Sequence, residues 1–581
     1  MRRRILLCAT ILVLAGCSEA PPSPPPRKAP VLNLVAFDTC DRLLTDLRAA
    51  TRLSVGPYGL PGSGSFPENA AVFGARADSA MPAAKTQAYS GTNVHEAGAD
   101  EPDVVKTDGR RIVAVSRGTL RVIDPATRAL TGRLDLGTGA AAQVLLSGDH
   151  ALVLSARYSS SIDGRAYEMA SGDAEVILVD LSGPPRIISR YRGVGRVVDA
   201  RQTGSVARVV LSSTPRIDFP YATDNTDDLL RDNRQAITAA PLDAWLPSWQ
   251  VITGTAISSG RVDCSAVSRP KTYSGAGMLT LLTFDLAADA LTDGSPVGVV
   301  SDGDLVYGTP TSLYVANQDW QGGDSADTEI FKFALPDVGK PELAASGRVP
   351  GSLLNQYSMS EWDGRLRVAT TAGSASAVRV LTDSGGKLVQ TGVVDGLGKN
   401  EQIYAVRFIG PRGYVVTFRQ TDPLYSLDLS DPAAPRVTGE LKITGYSAHL
   451  QQVGDDLLVG VGQEASTSGV RQGMQVSLFD VSASPRRVGQ HVVPQSVSDA
   501  EFDPHALLWW PATSLLVVPV KGASEGALAY RVDAGGLQLA GKISGYVNRS
   551  LVIGNDLWTL GDNEMTAYDL STLDRIKALN F

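Results

Sequence analysis

Five carboxylates crowd one short stretch, Glu96, Asp100, Glu101, Asp103 and Asp108, and three more, Asp499, Glu501 and Asp503, stand beside His505. Hard oxygen donors at such short spacing suit Ca²⁺, which takes about six to eight of them, although neither run follows the Asp-x-Asp-x-Asp-Gly order of an EF-hand loop. The plainer role for the same residues is to cap turns and solvate loops. The five histidines, His95, His150, His449, His491 and His505, are scattered, with no His-x-x-x-His or Cys-x-x-Cys spacing to hold a transition metal. No Walker loop and no strand-to-helix nucleophile elbow is read, and Gly193 and Gly195 form a Gly-x-Gly pair between strands, not ahead of a nucleotide-binding helix. Beyond Ca²⁺, these residues indicate no cofactor.

Cysteine chemistry is more specific. Arg2, Arg3 and Arg4, the apolar run from Ile5 to Ala15 and then Leu14-Ala15-Gly16-Cys17 have the three parts of a lipoprotein signal, with Cys17 as the acylated first mature residue. The apolar run is too short to span a bilayer, and no later segment is both long and apolar enough. Several acyl chains would anchor firmly, because each buried CH₂ contributes about 0.8 kcal/mol. Residues 17–30, with Pro21, Pro22, Pro24, Pro25 and Pro26, read as a semi-rigid tether. Cys8 leaves with the signal (1–16), so Cys40 and Cys264 remain as disulfide partners in an oxidising compartment; two buried free thiols are the alternative. The bond would close a loop worth about 5 kcal/mol on the chain-entropy model. The expected location is therefore extracytoplasmic, on a bacterial membrane. Loss of the three arginines takes the net charge from −8 to −11, and no basic stripe offers itself to nucleic acid.

The elements that must position any site follow from internal repetition. Residues 402–443 read as four strands with turn chemistry at each junction: Tyr404–Phe408, Gly413–Phe418, Leu424–Ser430 and Val437–Ile443. The third strand, an apolar alternation ending in Asp before a Ser, Gly or Pro turn, recurs at 120–125, 176–182, 281–286, 476–482, 528–533 and 566–571, with weaker copies at 330–336 and 378–384. That period fits the blade of a β-propeller, in which four-stranded sheets with two apolar faces bury one another around a ring. The expected fold is all-β, a single large propeller of eight or nine four-stranded antiparallel blades over residues 91–581. The third repeat is interrupted by an insert at about 212–275 carrying Leu242, Trp245, Leu246 and Trp249, either a surface excursion or a lid over a binding face. Residues 31–90 form a docking segment, with an edge strand at 31–37 and an amphipathic helix at 41–52.

The stretch Thr92–Gly109 (TNVHEAGADEPDVVKTDG), with Pro350–Tyr357, Glu361–Thr371 and Ile403–Gly445, resembles bacterial secreted proteins that carry a C-terminal β-propeller distantly related to WD40 repeats. The resemblance covers most of residues 85–581 and implies a propeller fold and export, with no established activity. This chain has His449-Leu450-Gln451-Gln452 where that family has a Tyr-Leu-His-Pro run.

In a propeller, the connection from one blade's outermost strand to the next blade's innermost strand rims the channel. Here those connections carry Asp302, Asp304, Asn355, Gln356, Glu401, Gln402, His449, Gln451, Asp499, Glu501, Asn548 and Arg549, with His505 nearby. A polar, mostly acidic rim is expected, suited to cations or to basic and hydroxylated ligands. The expected function is a surface-anchored binding or scaffold module for an envelope protein, peptide or glycan; the alternative is a hydrolase or lyase using carboxylates at the channel mouth. The sequence favours binding over catalysis and assigns no catalytic residue.

Overall fold

The computed structural model describes residues 34–60, 88–138, 141–157, 173–220, 225–271, 275–303, 305–319, 327–337, 339–418, 422–466 and 470–581. The signal, Cys17 with its tether, and Asp304 lie outside them.

Four-stranded antiparallel meanders repeat along these residues at 105–135, 142–193, 196–300, 305–350, 359–397, 402–443, 446–494, 496–544 and 549–580. They are numbered blades 1 to 9, and all nine third strands expected from the sequence, the weaker copies included, occupy that place in their blades. Alternation explains why they form a ring. In blade 1, Ile112 and Ala114 face blade 9, packing with Leu551, Trp558, Met565 and Ala567. Their neighbours Val113 and Val115 face the other way, against Val144, Val153, Ile177 and Val179 of blade 2. Both faces of a blade are thus buried, at about 1.5–3 kcal/mol per large side chain, and the contact of blade 9 with blade 1 closes the circle.

The recurrent Asp has a definite task. In every blade but the fourth, where Ala334 holds the place, its carboxylate accepts a backbone N–H two or three residues on, as Asp124 does from Ala126 at 2.8 Å and Asp533 from Gly535 at 2.7 Å. This Asx turn reverses the chain into the outermost strand.

The docking segment attaches at the rim. Leu34–Ala36 pairs antiparallel with Val267–Pro270, which pairs parallel with Val297–Val300 of blade 3. The helix Cys40–Ser54, capped by the Thr39 side chain, buries Leu43, Leu47 and Thr51 among Ile237, Trp245 and Leu246 of the insert. Asn233 of the insert donates to the carbonyls of Gly56 (3.0 Å) and Pro57 (2.9 Å). The Cys40–Cys264 disulfide, with Cα atoms 5.2 Å apart, ties the two together. The insert contributes the helix Thr226–Ala239 and the hairpin Ser248–Thr253/Ala256–Arg261. That hairpin adds to the outermost strand of blade 2, so the insert extends the circumference and is not a lid across the channel.

Candidate functional site

Inner strands point alternate side chains at the ring axis, and the chain's own residues 88–104 lie there. Ser90 is hydrogen-bonded to Val552 of blade 9 through N–H to carbonyl at 2.8 Å, and Gly554 donates to the Ala88 carbonyl at 2.7 Å. Asn93 donates to Gln451 of blade 7 and to the Pro504 carbonyl of blade 8, each at 3.1 Å. Glu96 accepts from the Tyr307 hydroxyl of blade 4 at 2.7 Å. Asp100 and Gln202 of blade 3 exchange backbone hydrogen bonds, as Asp103 and Val144 of blade 2 do. One peptide therefore plugs the channel and reaches most of the blades.

Its acidic residues are turned outward to separate partners. Lys106 reaches Asp100 at 2.7 Å; Arg201 and His505 approach Glu101 at 3.4 and 3.6 Å; Arg549 reaches Asp103 at 2.8 Å and also pairs with Asp503. Asp108 is in a turn with Arg110 and Arg111. Among the described residues no group of three or more His, Cys, Asp or Glu side chains is placed to hold a metal ion.

The buried environment shifts the ionisable groups. Burial, then Arg407, hold His95 well below its ordinary value, and the same two causes in that order lower His449 to about 3. His95 lies against the Tyr307 and Tyr357 rings, at 4.9 and 4.6 Å between centroids. Burial raises Glu96 and lowers Arg367 to about 10. For Arg549 burial works downward, and the charges of Asp103 and Asp503 outweigh it, holding the guanidinium above its ordinary range.

The expected rim divides in two. Gln356, His449, Gln451 and His505 converge on the plug or its surroundings, with Gln356 donating to Glu101 at 3.4 Å. The others act locally: Asp302 accepts from Gly277 N–H at 3.0 Å, Asn355 from Tyr357 N–H at 3.1 Å, and Glu401 from the Thr417 hydroxyl at 2.5 Å. Glu501 is buried in a capping box with Ser498 and also accepts from Gln463. Gln402 is exposed, and Asp499 pairs with Lys521 at 2.7 Å while remaining partly open to solvent. The arginines were missed. Arg201, Arg367 and Arg407 stand inside apolar strands, and a charge at such a position was the available signal, since it must find a partner when buried. Gly522-Ala523-Ser524-Glu525-Gly526 has the spacing of a nucleophile elbow, but it is a hairpin between two antiparallel strands.

Beside the plug is a cavity of about 190 Å³ lined by Asn93, Asp103, Lys106, His505, Trp509 and Arg549, among others. Asp103 is its one carboxylate among the described residues.

Sequence comparison agrees with this architecture: the β-propeller domain pattern matches residues 89–573, more than half of the chain. The chain belongs to the β-propeller domain family. An uncharacterised protein of Archaeoglobus fulgidus is 35% identical to this β-propeller over 256 residues, covering 43% of this chain and 38% of the relative. An uncharacterised protein of Methanocaldococcus jannaschii is 35% identical over 244 residues, 41% of this chain and 38% of the relative. The β-propeller thus spans well under half the length of these curated relatives, both archaeal. Among solved structures it is similar to a putative 6-phosphogluconolactonase from Bacteroides uniformis (13% identity, TM-score 0.33, 53% of this chain and 93% of that one). It is also similar to BamB from Moraxella catarrhalis (14% identity, TM-score 0.30, 67% and 86%).

Proposed function

We propose that this β-propeller is a lipid-anchored, extracytoplasmic binding or scaffold module that holds a protein, peptide or glycan of the cell envelope. The carrying observation is the plug: residues 88–104 lie along the channel, and Asp100, Glu101 and Asp103 within it are taken up by Lys106, Arg201 and Arg549, so recognition falls to the outer surfaces. At the entries to blades 5, 6 and 8, the exposed apolar Leu354, Val497 and Phe502 accompany the polar Gln402 and Asp499, with Lys521 on the second strand of blade 8 opposite Val497. A mixed surface of this kind suits a macromolecular partner. A hydrolase or lyase would need two carboxylates on one cavity, whereas Asp103 alone lines the central one and is committed to Arg549. The lipobox at Leu14–Cys17, the Pro-rich tether and the resemblance to bacterial secreted propellers related to WD40 repeats support anchoring and export.

A pull-down from envelope extract tests the reading, using the form lacking residues 1–30 with and without Ca²⁺. A retained partner that Asp499→Ala with Lys521→Ala releases is expected; failure to retain any envelope component overturns the proposal. Cys17→Ala should move the full chain from the membrane to the soluble fraction, and an unchanged membrane fraction removes the lipid anchor.

A further inference from the structure

A second concavity lies away from the channel, where the insert hairpin joins blade 2. It measures about 630 Å³, within the usual range for ligand sites. Arg157 from the second strand of blade 2, Arg192 from its outermost strand, Arg216 from the start of the insert and Arg261 from the insert hairpin all line it. Four guanidiniums brought to one cleft from four places in the chain repel one another unless anions accompany them. Among the described residues the protein supplies too few. Asp173 pairs with Arg216 at 3.0 Å, Asp243 pairs with Arg261, and buried Glu175 is shared between Arg192 at 2.9 Å and Arg190 at 3.4 Å. Arg157 has no ion-pair partner among the described residues. Among the described residues, these four guanidiniums and Arg190 meet only the three carboxylates Asp173, Glu175 and Asp243, on a chain whose net charge is −8.

The rest of the lining is not that of a bare anion trap. Ser248, Gln250 and Ser259 offer hydroxyl and amide groups, and the Trp249 indole lies in the wall against Gly260. A Cβ at Gly260 would come within 2.6 Å of that ring, so the hairpin is bare where the indole packs. Guanidinium forks match carboxylate, sulfate and phosphate, hydroxyl-bearing side chains match sugar hydroxyls, and an indole matches the apolar face of a pyranose. We infer that this cleft binds an acidic oligosaccharide of about two or three sugar rings, its acid groups held by Arg157, Arg192 and Arg216. The site is separate from the channel mouth and does not depend on the envelope role proposed above.

Calorimetric titration of the full chain in detergent tests it with four probes: a uronic-acid trisaccharide, a sulfated trisaccharide, a neutral trisaccharide and inorganic phosphate. At least one acidic trisaccharide should bind, and which one binds tells carboxylate from sulfate recognition. Arg157→Ala should weaken that binding about tenfold, consistent with loss of one exposed charge-assisted contact, with an unchanged melting temperature because Arg157 is exposed. Arg157→Lys should restore part of it, and raised salt should weaken it. Absence of binding by both acidic trisaccharides at millimolar concentration overturns the inference. So does equal binding by the neutral trisaccharide, binding of inorganic phosphate as tight as the sugars, or an Arg157→Ala variant with unchanged affinity.

Discussion

At the residue scale, the interior of this ring holds ion pairs that are largely buried. Arg549 is 4% exposed and holds Asp103 in the plug and Asp503 in blade 8. Arg549→Met leaves two carboxylates without their counter-charge, and breaking a buried pair from one side costs about 3–5 kcal/mol. Urea unfolding should show that loss, with Arg549→Lys recovering part of it; an unchanged midpoint refutes the pairing. His449 sets a pH dependence. Its folded value of about 3 lies below the ordinary 6.5, so between those limits the unfolded chain holds the extra proton. The stability this group contributes is complete above pH 6.5 and is lost as pH falls, by up to about 1.4 kcal/mol per pH unit. His449→Gln should flatten the acid limb of a stability-against-pH curve between pH 6 and 4, and an unaltered slope would count against a neutral His449. Single residues were partly legible. The acidic stretch at 96–108 was visible as a cluster, but its partners Arg201, Tyr307, His505 and Arg549 are far away in sequence, and nothing local reveals that a ring gathers them.

At the scale of the element, turn chemistry carried most of the sequence signal. The Asp that ends each third strand, and the apolar alternation before it, are local properties, so the blades could be located from residues alone. The hairpin between the first two strands of blade 5 uses Asp363-Gly364 with φ of 51° and 70°, the pair preferred where both turn residues are left-handed. In blade 1 a turn of the same kind, between the second and third strands, is built from Arg117 (φ 51°) and Gly118 (φ 71°). A Cβ at Gly118 would meet the Thr138 carbonyl oxygen at 2.0 Å. Gly118→Ala should therefore cost about 1–3 kcal/mol in a thermal melt, whereas Arg117→Gly should be neutral or stabilising; the reverse order would contradict this turn. The plug was not legible as an element, because 88–104 has neither strand nor helix periodicity and takes its conformation from the walls around it. Likewise the insert's apolar residues left open an excursion or a lid, and only strand pairing reveals that its hairpin joins the edge of blade 2.

For the molecule as a whole, the disulfide fastens the docking segment to the insert at the outer edge of blade 3, and the blades are expected to hold without it. Reduction of Cys40–Cys264 should increase amide exchange in the helices 40–54 and 226–239, where Leu43, Leu47 and Ile237 share one small core, while the strands of blades 5 to 9 keep their protection. Uniform loss of protection over all nine blades would show that the ring needs the bond. The ring is also sealed by Arg128 of blade 1, which reaches Asp556 of blade 9 at 2.7 Å, at the seam where the two ends of the repeat array meet.

That seam bears on how the chain can be made. Segment 88–90 is synthesised long before its partners Val552 and Gly554, which lie more than four hundred residues further along the chain. A nascent chain holding eight blades has no wall on one side of its future axis and nothing to clasp the strand that will lie there. Closure of the ring must wait for the ninth blade, and contacts of such long sequence separation are slow to form. Until then the apolar flanks of the first and eighth blades stay uncovered, and a chaperone that shields them, or passage through a membrane in an unfolded state, would spare the chain from aggregation.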